Sequence, residues 1–350
     1  MPSCQCDDPK VVVSVIVPTL NESGFFEPTI ESILSQDFPS IQLEILVVDG
    51  GSTDGTLSEI EQCVLNHSCV RYISNPHTTV PYALNLGIRE ARGDIVMRMD
   101  CHSVYPYDYI STLVSQLDRL DADNVGGVIK SLPPDGSCKS EAIATALSSP
   151  YGVGNSSFRI GSETIIPVDT VPFGCYPRNV FERIGEFDVS LTRNQDDEFN
   201  ARLRRLGGTI YLIPGVEIQY YTRRSLKLLF RMFFQYGLFK PLSNRKSGVL
   251  SSYRQLAPPI LVLSAVFSLF ASIFLSFGIF IPITLTLVYS GFLTAAALSC
   301  HIPSGRVKSR LFLLLALPTI HFAYGMGYWM GIPALFNPAW TASVTGTTRD

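Results

Sequence analysis

The chain has 350 residues, with 27 Lys plus Arg against 30 Asp plus Glu, and its formal charge of −3 speaks against a nucleic-acid partner. Its 46% hydrophobic content and mean hydropathy of +0.23 exceed the usual soluble balance. The excess sits towards the C-terminus, where residues 256–277, 279–298 and 311–330 hold no Lys, Arg, Asp or Glu and each reach membrane-spanning length.

Taken in order, the first apolar run, residues 11–17, is too short for a span. It follows Asp7 and Asp8 rather than a basic segment and meets Pro18, so it reads as a strand and not as a signal peptide. Further strand-like runs at residues 44–48, 70–73, 95–99 and 125–129 alternate with helix-like segments at 27–36, 56–65 and 81–90, and Thr53 or Thr56 is placed to cap the second of these. The alternation predicts an α/β domain with a mostly parallel sheet and helices on both faces. In such sheets ligands bind beyond the carboxyl ends of the strands.

Three polar turns fall at those ends. "VPTLNES" puts Pro18, Thr19 and Glu22 after the first strand, and "VVDGGSTDGT" puts Asp49 and Asp54 after the second. Asp49 is placed either to accept hydrogen bonds from a base or ribose or to shape a helix-capping turn. The sequence has neither a GxxxxGKS phosphate loop nor a GxGxxG dinucleotide motif. After the fourth strand, "MDCH" sets Asp100 and His102 at alternate positions, which point the same way if the extended conformation continues. Together they suit a divalent cation completed by substrate oxygens, the imidazole favouring Mn²⁺ over Mg²⁺.

Further on, "DDE" at Asp196, Asp197 and Glu198 opens an amphipathic helix, a place where acidic residues are favoured by the helix dipole alone. Residues 226–242 are apolar with interspersed basic residues, as expected of a helix lying in a membrane interface. Arg223, Arg224, Lys227, Arg231, Lys240, Arg245, Lys246 and Arg254 crowd before the first span, and Arg306, Lys308 and Arg310 lie between the second and third. By the positive-inside rule both stretches are cytoplasmic, so residues 1–255 are expected inside and the C-terminal tail outside. The eight cysteines are scattered without a CxxC pair, which fits a reducing compartment.

In sequence, "VSVIVPTLNES", "EILVVDGGSTDGT", "ARGDIVMRMDCH" and "NQDDEFNARLRRLG" resemble the inverting glycosyltransferases of glycosyltransferase family 2, over roughly residues 11–240. The stretch from "NPHTT" to "YPYDY", together with "QYG" and the C-terminal spans, is similar to the bacterial ExoA-type exopolysaccharide glucosyltransferases. The resemblance implies a Rossmann-like GT-A fold. It implies that Pro18, Thr19, Glu22, Asp49, Asp54 and Asp100 bind a nucleotide sugar, that Asp100 with His102 stands where the family binds its metal, and that Asp196 is the catalytic base with Asp197 as the neighbouring alternative. His102 replaces the commoner Asp and either ligates the cation or contacts the diphosphate. Gln195 likewise replaces the family's Glu.

The expected organisation is a cytoplasmic catalytic domain over residues 1–225, an interfacial segment over 226–255, three transmembrane helices over 256–330 and a tail over 331–350. The expected activity is transfer of a hexose from a UDP-sugar to a polyprenyl-diphosphate-linked saccharide at the inner membrane, in exopolysaccharide or cell-surface polysaccharide synthesis. Arg223 and Arg224 are candidate contacts for the diphosphate or for lipid headgroups. The rival readings are a non-catalytic assembly subunit and a processive synthase, although no QxxRW motif is present. His321, the lone ionisable residue of the spans, is expected to pack rather than to transport.

Overall fold

The computed structural model describes residues 11–36, 40–250, 252–275 and 278–345. Cys4, Cys6, Asp7, Asp8, Phe277 and the end of the tail lie outside them. Among the described cysteines, Cys63, Cys69, Cys101, Cys138, Cys175 and Cys300 are free thiols.

The first half alternates strand and helix: β1 (Val11–Thr19), α1 (Phe26–Leu34), β2 (Ile41–Asp49), α2 (Thr56–Asn66), β3 (Val70–Ser74), α3 (Val80–Glu90), β4 (Ile95–Arg98), β5 (Ser103–Val104), α4 (Tyr109–Arg119) and β6 (Asn124–Leu132). Then come α5 (Cys138–Leu147), α6 (Pro150–Val153), α7 (Ser157–Ile160), β7 (Ile166–Pro167), β8 (Cys175–Pro177), α8 (Asn179–Ile184), α9 (Gln195–Arg205) and β9 (Ile210–Tyr221). The rest is helical: α10 (Leu226–Ser247), α11 (Ala257–Phe274), α12 (Phe280–Ser299), α13 (Val307–Gly331) and α14 (Trp340–Thr345). The chain forms two compact units, Met1–Ile129 with Gly161–Tyr220 and Lys130–Ile160 with Tyr221–Asp350.

The first unit is built on a mixed sheet of order β3-β2-β1-β4-β8-β6-β9-β5, with β7 on β9. β1 pairs in parallel with both β2 and β4, and β8 runs antiparallel to β4. Val13, Val15, Ile16 and Val17 of β1 are at most 1% exposed on either face of the pleat, the continuous apolar run of a strand covered on both sides. Register then fixes the edge of interest: Thr19 pairs with Asp49, Ile16 with Arg98, and Asp49 with Ser74. The polar turns after β1, β2 and β4 therefore open along one edge of the sheet.

The second unit contains three helical stretches long and apolar enough to cross a membrane, Tyr253–Phe274, Phe280–Ser299 and Val307–Leu335. Ile260, Phe267, Ile273, Phe274 and Leu287 are more than half exposed, as expected of side chains that face lipid. α10 runs past residue 242 to Ser247 despite Pro241 and packs along α13. Glycines set this contact: a Cβ on Gly237 would lie 2.1 Å from the Tyr324 carbonyl oxygen, and one on Gly327 would lie 2.1 Å from that of Phe234. The two backbones meet where a methyl group does not fit, the close approach that small residues permit.

Residues 130–160 join this unit through α5, whose Ala142, Ile143, Ala146 and Leu147 share a buried cluster with Leu313, Ala316 and Leu317 of α13. Glu141 on α5 is 6% exposed and accepts from the Ser304 amide (2.8 Å), the Ser304 hydroxyl (2.6 Å), the Ser309 hydroxyl (2.5 Å) and Arg306 (3.3 Å). Burial pushes its carboxyl up, but these donors more than offset that and hold it below its ordinary value. Arg310 donates to the Ala297 and Leu298 carbonyls at the C-terminus of α12. Arg306 and Arg310, between the last two spans, thus have structural partners of their own. His321 hydrogen-bonds the Tyr289 hydroxyl through Nδ1 (2.8 Å) and the Tyr151 carbonyl through Nε2 (2.7 Å). Bonding to a carbonyl requires Nε2 to carry the proton, so a neutral ring accepts from Tyr289.

Gly327→Val is expected to cost about 1–3 kcal/mol by overpacking the α10 contact. Gly291→Ala, with open space around the added Cβ, is expected to be neutral or slightly stabilising. Thermal unfolding of the detergent-purified protein distinguishes the two.

Candidate functional site

The loops after β1 and β2 are joined to each other by side chain to backbone bonds. Asn21, held at φ +53, donates its amide to Ser52 Oγ (2.8 Å) and accepts from the Thr53 amide (2.8 Å). The Glu22 amide donates to Thr56 Oγ1 (2.7 Å), and the Ser23 amide donates to Asp54 Oδ2 (3.2 Å). Asp54 Oδ1 also accepts from the amide and the hydroxyl of Thr56 (3.0 and 2.5 Å). These bonds hold its carboxyl below the ordinary value in spite of the opposing desolvation. The expected Thr53 or Thr56 cap is not formed: Gly55 is the N-cap and offers no side chain, and Asp54 supplies the acceptor instead.

Asp49 is 1% exposed and is engaged by its own turn. Its Oδ2 accepts from the Gly51 and Ser52 amides (2.9 and 3.0 Å), and its Oδ1 accepts from the Ser52 hydroxyl (2.5 Å). Thr19, 2% exposed, donates to the Val17 carbonyl (3.1 Å), while its own carbonyl accepts from the Gly50 amide (2.8 Å). Pro18 pairs with Val48 one step back from the edge.

Extended structure ends at Arg98, and the chain turns at Cys101 and His102, the latter at φ +64. The alternation expected to point Asp100 and His102 the same way is therefore broken, because a left-handed residue reverses the chain. His102 Nε2 lies 2.6 Å from Glu22 Oε2, without hydrogen-bond alignment, and its ring packs edge-on against Phe25 at 4.5 Å. Asp100 takes a different partner. Arg98 donates through Nε to its Oδ1 and through Nη2 to its Oδ2, both at 2.6 Å, and the Asp100 backbone carbonyl accepts from Tyr105 Oη (3.0 Å).

The third nitrogen of the same guanidinium, Nη1, donates to Asp196 Oδ1 at 2.5 Å. Arg98 is 8% exposed, lies 5.8 Å from the Phe173 ring centroid and is flanked in sequence by the buried Met97 and Met99. It thus joins two carboxylates 96 positions apart in sequence (196 − 100). Burial pushes the Asp196 carboxyl up, and Asp100 and Asp197 add to that, against the pull of Arg98.

The start of α9 gives Asp196 and Glu198 different partners. Asn194, at φ +59, brings the chain into the helix, and Asp196 faces Arg98. Glu198 is 2% exposed and forms a two-point pair with Arg202 (2.9 and 3.0 Å), whose remaining donors reach the Ile184 and Glu186 carbonyls. Arg223 and Arg224 belong to the second unit, where Arg224 contributes to the lowered carboxyl of Asp135, behind the bonds from Ser137 and Ser140. Sequence reasoning missed Arg98. Its signal was a charged residue inside the apolar run "IVMRM", which needs a buried partner.

Residues 14–184 match the sequence profile described as Glycosyl transferase family 2. The chain is 31% identical over 242 residues to the dolichyl N-acetyl-alpha-D-glucosaminyl phosphate 3-beta-D-2,3-diacetamido-2,3-dideoxy-beta-D-glucuronosyltransferase of Methanococcus voltae, covering 67% of this chain and 74% of that one. It is 28% identical over 255 residues to the succinoglycan biosynthesis protein ExoA of Rhizobium meliloti, covering 70% and 73%. Among solved structures it is similar in fold to the mannosyltransferase PcManGT of Pyrobaculum calidifontis in complex with GDP-Man and Mn²⁺, with a TM-score of 0.55, 20% identity and coverage of 93% and 90%.

Asp54→Ala is expected to lower stability at neutral pH by about 1 kcal/mol, in the range for losing a helix-start acceptor. A carboxyl lowered by folding contributes above its unfolded value and loses that contribution as pH falls through the folded one. The gap between variant and wild type should therefore close in strong acid, as followed by denaturant unfolding at both pH values.

Proposed function

The chain belongs to glycosyltransferase family 2, and from that premise we propose that it transfers a sugar from a UDP-sugar to a polyprenyl-diphosphate-linked saccharide, with Asp196 as the base, in exopolysaccharide or cell-surface polysaccharide synthesis. The observation that carries this reading is the convergence of Asp100 and Asp196 on one guanidinium at the carboxyl edge of the sheet. An acceptor hydroxyl attacking an anomeric carbon must lose its proton while the leaving diphosphate gains charge, so the site needs a base on one side and positive charge on the other. Asp196 has the first role. A single displacement with one base inverts the anomeric centre and needs no covalent intermediate.

Asp49 and Asp54 act here by fixing the donor loop. Asp49 closes its own turn, and Asp54 with Thr56 holds the Ser23 and Glu22 amides, so the loop that follows Pro18 and Thr19 is ordered before the nucleotide arrives. The name of the Methanococcus voltae relative describes an acceptor sugar carried on dolichyl phosphate, which supports a phosphorylated polyprenyl carrier here. The side chains of Asp100 and His102 are 24% and 31% exposed; the carboxylate suits Mn²⁺ or Mg²⁺, and the imidazole favours Mn²⁺. No group of three such side chains among the described residues is placed to hold an ion, so diphosphate oxygens would have to complete its shell. A cation held there would neutralise charge on the leaving diphosphate.

The organisation proposed is catalytic residues 1–225 in the cytoplasm, α10 at the membrane interface, and the three apolar helices crossing the inner membrane. Lys227, Arg231, Arg245 and Lys246 of α10 support it as positive charge beside anionic headgroups. Arg223 and Arg224 extend the same basic stretch.

The test is UDP release by the detergent-purified full chain, supplied with lipid extract containing polyprenyl-linked saccharides, Mn²⁺ and a panel of UDP-sugars. Asp196→Asn should lower turnover by about 10²–10⁴-fold, the usual weight of a general base. Absence of turnover with every nucleotide sugar offered, or full activity in the variant, would remove the reading. Because the Asp196 carboxyl is raised above the ordinary 3.8, its basic form is lost as pH falls through that higher value. The acidic limb of the kcat/KM profile is accordingly expected above 3.8 and should disappear in Asp196→Asn.

A further inference from the structure

We propose that Arg98 is a built-in competitor for the cation: a divalent ion binding to Asp100 must displace the guanidinium from it, leaving Arg98 committed to Asp196. The inference rests on reading Asp100 as the ion-binding carboxylate. Both of its oxygens accept from Arg98 in a two-point fork of 2.6 Å bonds, the strongest form a carboxylate pair takes. A second cation on those oxygens would meet the guanidinium at close range in a poorly hydrated site, where like charges repel far more than in water.

Arg98 has somewhere to go. Its Nη1 already holds Asp196 at 2.5 Å and its face lies 5.8 Å from the Phe173 ring, while its backbone stays fixed by donation to the Gly174 carbonyl at 3.1 Å. Release from Asp100 thus turns a shared guanidinium into one that serves Asp196 alone. Arrival of the ion and placement of the base become coupled, and Arg98 is a positioning residue for both.

The two roles have opposite signatures. Removing the competitor favours the ion, while removing the partner of Asp196 harms turnover; a merely architectural arginine would weaken both. The experiment measures Mn²⁺ binding by calorimetry on the full chain in detergent, with UDP present to supply the diphosphate oxygens, for wild type, Arg98→Gln, Arg98→Lys and Asp100→Asn. UDP release is followed in parallel. Arg98→Gln is expected to bind Mn²⁺ about tenfold more tightly, since a neighbouring like charge is gone, and to turn over more slowly. Arg98→Lys, a point charge without the fork, should fall between in both.

If Arg98→Gln fails to fold, Arg98→Lys decides, because it keeps the buried charge paired. Loss of Mn²⁺ binding in Asp100→Asn with no tightening in either Arg98 variant would overturn the competition and leave the role of Asp100 standing. Undiminished Mn²⁺ binding in Asp100→Asn, or none in wild type, would overturn both.

Discussion

One buried charge organises the catalytic unit. Arg98 sits in a strand whose neighbours Val96, Met97 and Met99 are at most 2% exposed, and a guanidinium there is tolerated only if its donors are met by acceptors. One acceptor, Asp100, is two residues away and arrives with the strand. The other, Asp196, comes from the first turn of α9 and reaches the site only when the second half of the unit has packed against β4. The chain therefore satisfies this buried guanidinium by assembling its site, and it leaves Arg98 with an unpaired donor if it does not. Removing such a partner is generally far more costly than the net worth of the pair.

Around that charge the backbone is held in conformations that side chains avoid. Asn21, His102, Phe173 and Asn194 all have positive φ, and each lies beside a site group: Asn21 beside Glu22, His102 in the turn after Asp100, Phe173 against Arg98, and Asn194 at the entry to α9. Such residues persist where surrounding bonds over-determine them. Here those bonds are visible for Asn21, which is tied to Ser52 and Thr53. Those bonds fix the loop after β1 against the loop after β2.

Much of this was legible in the sequence, in proportion to how local each signal is. Period and turn chemistry located β1, β2, β4 and the long apolar helices, and the polar residues after each strand follow from the register of a parallel sheet. What was not legible depends on contacts distant in sequence or on single dihedral angles. Nothing near "NQDDEF" says that Asp196 meets Arg98, which lies 98 positions away, while Glu198 pairs with Arg202 one turn along the same helix. The left-handed angle at His102 cannot be read from "MDCH", and without it the alternation rule gave the wrong direction. α5 was equally silent: its small, evenly apolar residues show no stripe, yet they pack on α13.

The glycine contact between α10 and α13 has a bearing on the bilayer itself. Helices separated by side chains can shift along one another by changing rotamers, but at Gly237 and Gly327 it is carbonyl oxygens that fill the space. Sliding would drive backbone into backbone. On the membrane placement proposed above, a bilayer thicker or thinner than these helices must then be met by tilting the whole helical unit or by deforming the lipid around it, so a change in acyl-chain length would reach α10 as a change of angle rather than of depth.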